Sequence, residues 1–518
     1  MHRIFIIPTL CLAFATGAFA QTFGPAVPVD TTTPGVIFQW APDIAVDRDG
    51  NVGVVWVNQI PGNRVVMFAK STDGGQTWQK TVVEDSPLWP EMARNNAALA
   101  FDTQNNPWVV WQFYDPWYLA YPYVARSLDG GDTFGEPFFK EDSFEMEVRS
   151  IAIDENNNVY IPWMRGLKCV TFLAGDPNDW TIGQVSPPTL SPNWHPVFCS
   201  KGRDTVYTAW SADSLDYTKP DLIFFSRSID TGQYFSEALL LSLGPLEDTF
   251  GALFPSIAVA EENILYVAWP DPQTGDYDIY LTKSLDAGIS FLPEKRINDV
   301  FEGNQTRVYM TYRPKLGLCV TYLDRGSGTE KSNYNATSFI KKTIQAGDIY
   351  FTKSTDGGDT FSESVLVTDS TFQQYGQWVW GIAADDSGNV YVVFTDDPYD
   401  KSIVFVSKAT FDITSIPNGQ LDIRIPETFC LSQNYPNPFN AQTTIEYSIP
   451  VESYVTLNIY NILGEKVRTL ARASEPQGRY QVVWDGKNAA GDLVSSGVYL
   501  YKLETQHTAI VRKLVLLR

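Results

Sequence analysis

One short pattern recurs along the first four-fifths of this chain and leaves few ways for it to fold. Ser71–Trp78 reads STDGGQTW, Ser127–Phe134 SLDGGDTF, Ser228–Phe235 SIDTGQYF, Ser284–Phe291 SLDAGISF and Ser354–Phe361 STDGGDTF. The shared form is S-x-D-x-G-x-x-[W/F]. An Asp carboxylate at the third position can accept the backbone N–H groups of its own turn, and Gly admits the left-handed conformation that closes a tight hairpin. That chemistry accounts for Asp73, Asp129, Asp230, Asp286 and Asp356, so all five are read as structural hairpin locks, not as catalytic or metal-binding groups.

The spacing of the locks makes them a ruler. Asp73 and Asp129 stand 56 positions apart, as do Asp230 and Asp286. The interval is about double where a copy is missing, and an insertion around Gly326–Ala346 lengthens the last one. A second motif precedes each box: IAVDRDGNVGVVW (Ile44–Trp56), LAFDTQNNPWVVW (Leu99–Trp111), IAIDENNNVYIPW (Ile151–Trp163), IAVAEENILYVAW (Ile257–Trp269) and IAADDSGNVYVVF (Ile382–Phe394). VFCSKGRDTVYTAW (Val197–Trp210) is the same with one extra residue, and VYMTYRPKLGLCVTY (Val308–Tyr322) is a divergent member. Each reads as an apolar strand, a polar turn and an alternating strand ending in an aromatic. A third strand, the box and a fourth strand complete a unit of four antiparallel strands. Such a unit repeated at about fifty residues predicts an all-β chain built as a β-propeller. The third copy (CVTFLAGDPNDW) and the seventh (FVSKATFDIT) lack a good box; seven blades is the count, with six or eight left open because the third and sixth copies are irregular.

The boxes resemble the Asp-box, or bacterial neuraminidase repeat, of sialidases and of many non-enzymatic propellers. The resemblance implies that each box joins the third and fourth strands of a blade. It also sets demands for a sialidase: three arginines for the substrate carboxylate, a Tyr–Glu nucleophile pair, an Asp acid, and Arg-Ile-Pro before the first box. The corresponding segment here, Gly35–Asp47, holds no Arg, and the Arg-Ile-Pro at Arg424–Pro426 falls after the propeller. Propeller fold alone does not carry the chemistry.

The repeat stops after Thr414, which gives a propeller over 21–414, a Pro- and Gly-punctuated linker over 415–430 and a last module over 431–518. That module alternates short strands with Gly-Asp and Asp-Gly turns, as a small immunoglobulin-like β-sandwich would. Its QNYPNPFN box, the Gly464–Leu470 turn and the W-D-G-x-N-x-x-G segment from Trp484 to Tyr499 resemble the type A C-terminal sorting domain of the type IX secretion system. The resemblance implies recognition of 431–518 by an outer-membrane export machinery, followed by cleavage or surface anchoring.

The other end of the chain agrees. Arg3, an apolar run and Ala18-Phe19-Ala20 form a signal peptide over 1–20, and no later segment has the length of a membrane span. Together the two ends place the protein outside a Gram-negative-type cell, secreted or on its surface. With 38 Lys plus Arg against 60 Asp plus Glu, the net charge of −22 argues against nucleic acid as a partner. Three histidines are too few for a His-cluster zinc site. Cys169 and Cys199 could pair, but the preferred reading is buried free thiols.

Ligands of a propeller sit at the mouth of its central channel, on the face opposite the boxes. Counting back from each inner strand places Pro42, Ala97, Arg149, His195, Pro255 and Trp380 in a column there, with Arg313 as a seventh member from the divergent copy. Trp40, Arg94, Trp194, Phe254 and Trp378 are their neighbours. Rings that pack on sugar faces and cations that bind carboxylates suit a carbohydrate or acidic glycan; core plugs and local ion pairs are the structural alternative. Loop acids on the same face (Asp213, Asp216, Asp271, Asp276, Asp396, Asp397) invite calcium or a glycosidase pair, against the plainer reading of solvated turn residues. Three functions follow: a secreted propeller binding a glycan, polymer or protein, a glycoside hydrolase, and a structural adhesion component. No cofactor is required by any of them.

Overall fold

The computed structural model describes residues 22–86, 93–114, 120–139, 150–163, 167–186, 190–214, 221–242, 252–261, 264–273, 275–299, 303–326, 347–368, 377–396, 402–413, 429–431, 434, 439–440, 442–451, 453–475 and 478–517. Its contacts divide the chain into two compact units, Met1–Gly419 and Gln420–Arg518. Among the described residues there is no α-helix, and no helix is long and apolar enough to cross a membrane.

The first unit contains, among its described residues, seven antiparallel four-stranded sheets. Their inner strands are Phe38–Val46, Ala93–Phe101, Ala152–Ile153, Leu190–Lys201, Ser256–Val259, Gln305–Arg313 and Trp378–Ala384. Each touches the next in that order, and the last touches the first, so the sheets close into a ring. This is a β-propeller, built as the four-strand repeat predicts. Its core is a series of layers between neighbouring sheets. Val55, Phe68, Leu99 and Trp111 join the first and second blades, for example, and Val54, Trp56, Tyr391 and Val406 the first and seventh.

The boxes are the hairpins between third and fourth strands, and their hydrogen bonds are those that turn chemistry predicts. Ser71 Oγ donates to Asp73 Oδ1 (2.8 Å), as do the N–H groups of Gln76 and Thr77 (3.0 and 2.9 Å), while Thr77 Oγ1 donates to Oδ2 (2.5 Å). Gly75 N–H in turn donates to Ser71 Oγ (2.7 Å). Asp129, Asp230, Asp286 and Asp356 accept the same serine hydroxyl and the same turn N–H. Glycine is required where the turn meets the neighbouring blade: at Gly131 (φ 103°) a Cβ would stand 2.4 Å from the Phe68 ring.

Three features were not read from the sequence. The residue before a box serine reaches the next blade: Lys70 Nζ donates to Gly130 O (3.1 Å), Arg126 Nη1 to Gly175 O (2.6 Å), Arg227 Nη1 to Ala287 O (2.6 Å) and Lys283 Nζ to Gly357 O (2.9 Å). The turns between first and second strands carry a second Asp lock, D-x-x-x-N. Asp47, Asp102, Asp154 and Asp385 each accept the N–H and side-chain amide of the Asn four residues on. Finally, the outer strand of the seventh blade comes from the other end of the chain. Val27 and Pro28 pair with Val406 and Phe405, so that copy needs no box. In the third copy a short 3-10 turn, Leu173–Gly175, replaces the box.

The N-terminal strand is held by a polar node. Asp30, 3% exposed, accepts hydrogen bonds from Lys80 Nζ (2.5 Å) and from the N–H groups of Thr32 and Thr33 (3.0 and 3.1 Å). Gln39, also buried, donates to Asp30 O and accepts from Val404 N–H in the seventh blade (2.9 and 2.8 Å).

The second unit is a two-sheet sandwich. One sheet orders Cys430–Leu431, Thr443–Ile449 and Gly478–Trp484. The other orders Lys466–Glu475, Ser453–Asn461, Gly497–Glu504 and Ala509–Leu516. Trp484 is fully buried between them, 5.6 Å from the Phe439 ring and 5.3 Å from the Tyr499 ring.

Candidate functional site at the channel mouth

Five of the inner strands break register near their entrance, between Trp40 and Asp43, Asn95 and Ala97, Trp194 and Val197, Thr306 and Tyr309, and Val379 and Gly381. An extra residue in a strand re-aims side chains and bends the backbone. Here the bulge places non-glycine residues in the left-handed region: Ala41 (φ 46°), Asn96 (φ 38°), His195 (φ 54°) and Arg307 (φ 51°), with Phe254 (φ 51°) entering the fifth strand in the same way. Each such residue costs about 1–3 kcal/mol, and several are ringed around one space. Together with Trp380, these residues line a cavity of about 190 Å³ in the central channel, to which all seven blades contribute.

The chemistry of this cavity is concentrated on one side. Arg307, 9% exposed, lies within an aromatic enclosure, its guanidinium carbon 5.0 Å from the Phe254 ring, 4.5 Å from Trp378 and 5.2 Å from Trp380. Arg325 approaches Trp378 as well, at 4.7 Å. Cation–π contacts of this kind contribute about 0.5–2 kcal/mol each, the larger values where water is excluded. His195 packs on Phe254 with ring centroids 4.0 Å apart and has Nδ1 3.4 Å from Ser211 Oγ. Trp380 is fixed by a hydrogen bond from Nε1 to Thr395 Oγ1 (3.0 Å).

A carboxylate faces the cavity from the first blade. Asp43 Oδ2 accepts Leu99 N–H of the second blade (2.8 Å), and Oδ1 accepts the adjacent Ile44 N–H (2.9 Å). Burial pushes its carboxyl up to about 7, against the opposing pull of those two donors.

The sequence column is therefore placed in part. Pro42, Ala97, His195, Pro255 and Trp380 line the cavity, with Phe254 beside them, and Trp378 backs Arg307. Arg313 does not belong there. It ends its strand at the turn to Gly317, on the box face, with Nη1 donating to Tyr312 O (3.1 Å) and Nε 3.8 Å from Asp386. The residue its strand presents to the channel is Arg307, six positions earlier. Trp40 packs between the first and second blades under the Arg64 guanidinium, 4.4 Å away, and does not line the cavity. Arg94 and Trp194 occupy inner-strand positions opposite Phe113 and Ser211, and Arg149 lies outside the described residues.

Of the loop acids, Asp271 is not a solvated turn residue. It is buried, with Trp269 Nε1 donating to Oδ2 (3.2 Å) and Gln273 N–H to Oδ1 (3.1 Å), and burial raises its carboxyl. Asp396 is buried, Asp276 is exposed, the Asp213 side chain is not among those described, and Asp216 and Asp397 lie outside the described residues. Among the described residues no three His, Cys, Asp or Glu side chains converge as a cation site. Cys169, Cys199 and Cys319 are free thiols, and burial pushes Cys169 and Cys319 up to about 12.

Comparison with solved structures gives several likenesses at low identity. A protein of unknown function from Dyadobacter fermentans is 12% identical, with 75% of this chain and 98% of that chain covered and a TM-score of 0.46. The Hadza microbial sialidase Hz136 is 13% identical over 74% of this chain and 68% of its own, with a TM-score of 0.44. An alpha-L-arabinanase of Penicillium chrysogenum, solved with arabinobiose, is 13% identical over 77% and 98%, with a TM-score of 0.42. No curated protein matches the sequence. Residues 439–508, the greater part of the sandwich, match the family of FlgD Ig-like domains.

Proposed function

We propose that this is a secreted or surface-displayed propeller that binds a glycan at the channel mouth. The observation that carries the reading is the guanidinium of Arg307 held among Phe254, Trp378 and Trp380 beside a cavity that all seven blades line. Aromatic faces pack against the C–H faces of sugar rings, and a few convergent polar groups fix their orientation. The strained bulges that present these side chains are the kind of local cost that binding sites carry. A glycoside hydrolase would need a second carboxylate beside Asp43. Among the described residues lining the cavity Asp43 is the one that bears a carboxylate. The test is a glycan array and calorimetry on the purified full chain. Trp380→Ala and Phe254→Ala are each expected to weaken the best ligand at least about tenfold; unchanged binding by both variants removes the proposal.

Export follows from the last module. Residues 431–518 serve as the address for a type IX machinery, after a signal peptide over 1–20 has taken the chain across the inner membrane. Deleting 431–518 is expected to leave the propeller inside the outer membrane of its host, as fractionation would show; undiminished export of the shortened chain would refute this.

A further inference from the structure

In three blades the residue before the first isoleucine of the inner-strand motif (Ile44, Ile151, Ile257) accepts a hydrogen bond from a backbone N–H of the following blade. Ser150 Oγ accepts Phe198 N–H (2.9 Å), Ser256 Oγ accepts Met310 N–H (3.0 Å) and Asp43 Oδ2 accepts Leu99 N–H (2.8 Å). In the third and fifth blades a hydroxyl is sufficient for this seam. The first blade uses a carboxylate in its place, and that carboxylate lines the channel cavity. Each carboxylate oxygen has two acceptor sites, so a seam bond and an Ile44 N–H leave acceptor capacity on both. The side toward the seventh blade is kept clear by Gly381, where a Cβ would stand 3.3 Å from Asp43 Oδ1. Trp380, the ring proposed to carry a sugar, is the residue before that glycine.

We propose that Asp43 selects the ligand of the channel: ionised, it accepts a hydroxyl hydrogen bond from an uncharged glycan lying on Trp380, and it disfavours acidic sugars by charge repulsion. This rests on the glycan reading above and adds the class of glycan. Arg307 stands across the cavity with its guanidinium enclosed by three rings, and a preference for acidic glycans is the outcome expected if its charge, not that of Asp43, governs the site.

The surroundings of Asp43 leave its charge to respond to ligand and pH. Neither its own strand, nor the second strand of its blade (Val52–Ile60), nor the seventh-blade strand Trp378–Ala384 carries another titratable side chain. The second-blade strand carries Arg94, and across the cavity stand His195, Arg307 and Tyr309. Because burial holds the carboxyl near 7, a ligand that binds the ionised form must displace a proton at lower pH. Affinity is then full above that value and is lost as the pH falls through it, by about tenfold between roughly pH 8 and pH 6.

The experiment uses the full chain, an array of neutral and acidic oligosaccharides, and calorimetry of the best ligand at both pH values. Neutral glycans are expected to bind, about tenfold more weakly at the lower pH. Asp43→Ser, which keeps a seam hydroxyl as in the third and fifth blades, should bind weakly at both and show no pH slope, with a thermal midpoint no lower than that of the wild type. Preference for acidic glycans, a pH-independent wild type, or an Asp43→Ser variant with full affinity and slope would each overturn the proposal. If Trp380→Ala abolishes binding while Asp43→Ser changes nothing, the glycan site stands and the role of Asp43 falls; if neither variant matters, both fall.

Discussion

Lys283 Nζ donates to the carbonyl oxygen of Gly357 one blade further round the ring, at 2.9 Å, and meets the Asp359 carboxylate at 2.5 Å. Equivalent bonds run from Lys70, Arg126 and Arg227. Three of the five boxes, at Gly130, Ala287 and Gly357, are thus locked twice, inside by their own Asp and outside by a cation from the preceding blade, and Arg126 holds the 3-10 turn of the third copy in the same way. A bond from a charged donor to a carbonyl that a neighbouring sheet covers contributes about 1 kcal/mol net. Lys283→Met should lower the unfolding free energy by about that amount, seen as a lower urea midpoint at unchanged slope, and Lys283→Arg should recover most of it. No change for Lys283→Met would show that the seam is held by apolar packing alone.

The boxes also predict acid behaviour. Hydrogen bonds from Thr77 and Ser71 hold the Asp73 carboxyl down at about 2. Asp129 lies lower still, through Ser127 and Thr133. At Asp286 and Asp356 burial opposes ionisation, but turn donors outweigh it and the values remain depressed. Groups depressed in the folded state stabilise it fully above the ordinary carboxylate range and stop doing so as the pH falls through their folded values. The first unit should therefore keep its β-signature to below pH ~3 by circular dichroism, and Thr77→Val with Thr360→Val should raise the acid midpoint. An acid midpoint indifferent to both substitutions would contradict this account.

Ring closure depends on Asp30. Its carboxylate is buried against Lys80, and its backbone carbonyl accepts from Gln39. Removing one partner of such a pair leaves an uncompensated charge, at a cost of about 2–4 kcal/mol where the survivor is partly solvated. Asp30→Ala is expected to destabilise the propeller by this amount, and Asp30→Ala with Lys80→Met by less than Asp30→Ala alone. A larger loss in the double variant would mean that the two side chains act independently.

Trp484 provides a test confined to the second unit. It is fully buried between the two sheets and touches Phe439 and Tyr499. Truncation to Ala should cost about 3–5 kcal/mol and unfold the sandwich. The propeller should keep its own thermal transition, which calorimetry on the full chain resolves. Loss of both transitions together would argue that the units fold as one.

The sequence was informative wherever local chemistry repeats. Asp356 and Gly358 could be read as a turn because Asx bonding and positive φ act within a few residues, and counting those turns located the blades. The site was harder to read. In the sixth blade the first turn lacks the D-x-x-x-N lock and runs through Arg313 and Pro314 to Gly317, so the ruler had no mark there and Arg313 stood in for Arg307. The fourth copy carries one extra residue, and its bulge spans His195 and Pro196. Which side chain a bulge aims inward depends on pairing across the sheet, which no single strand reveals. The seventh blade shows the same limit at longer range, since nothing near Phe405 announces that Pro28 will pair with it. The basic residues before the box serines were visible throughout. Their partners lie one blade away, beyond the reach of a local pattern.

The strand at Val27–Pro28 also sets an order of events. A ribosome makes Val27 roughly 380 residues before Val406, and chains fold as their N-terminal parts appear. For that interval the segment from Phe23 to Thr33 has no sheet to join, and the seventh blade has no outer strand until the beginning of the chain returns to it. Six blades can form from local hairpins, but the circle is completed by the contact of the first blade and the N-terminal strand with the seventh blade, a contact of very high sequence separation, the slow kind. A chain held unfolded during passage through a membrane would keep that contact unmade until both ends of the propeller stood on the same side.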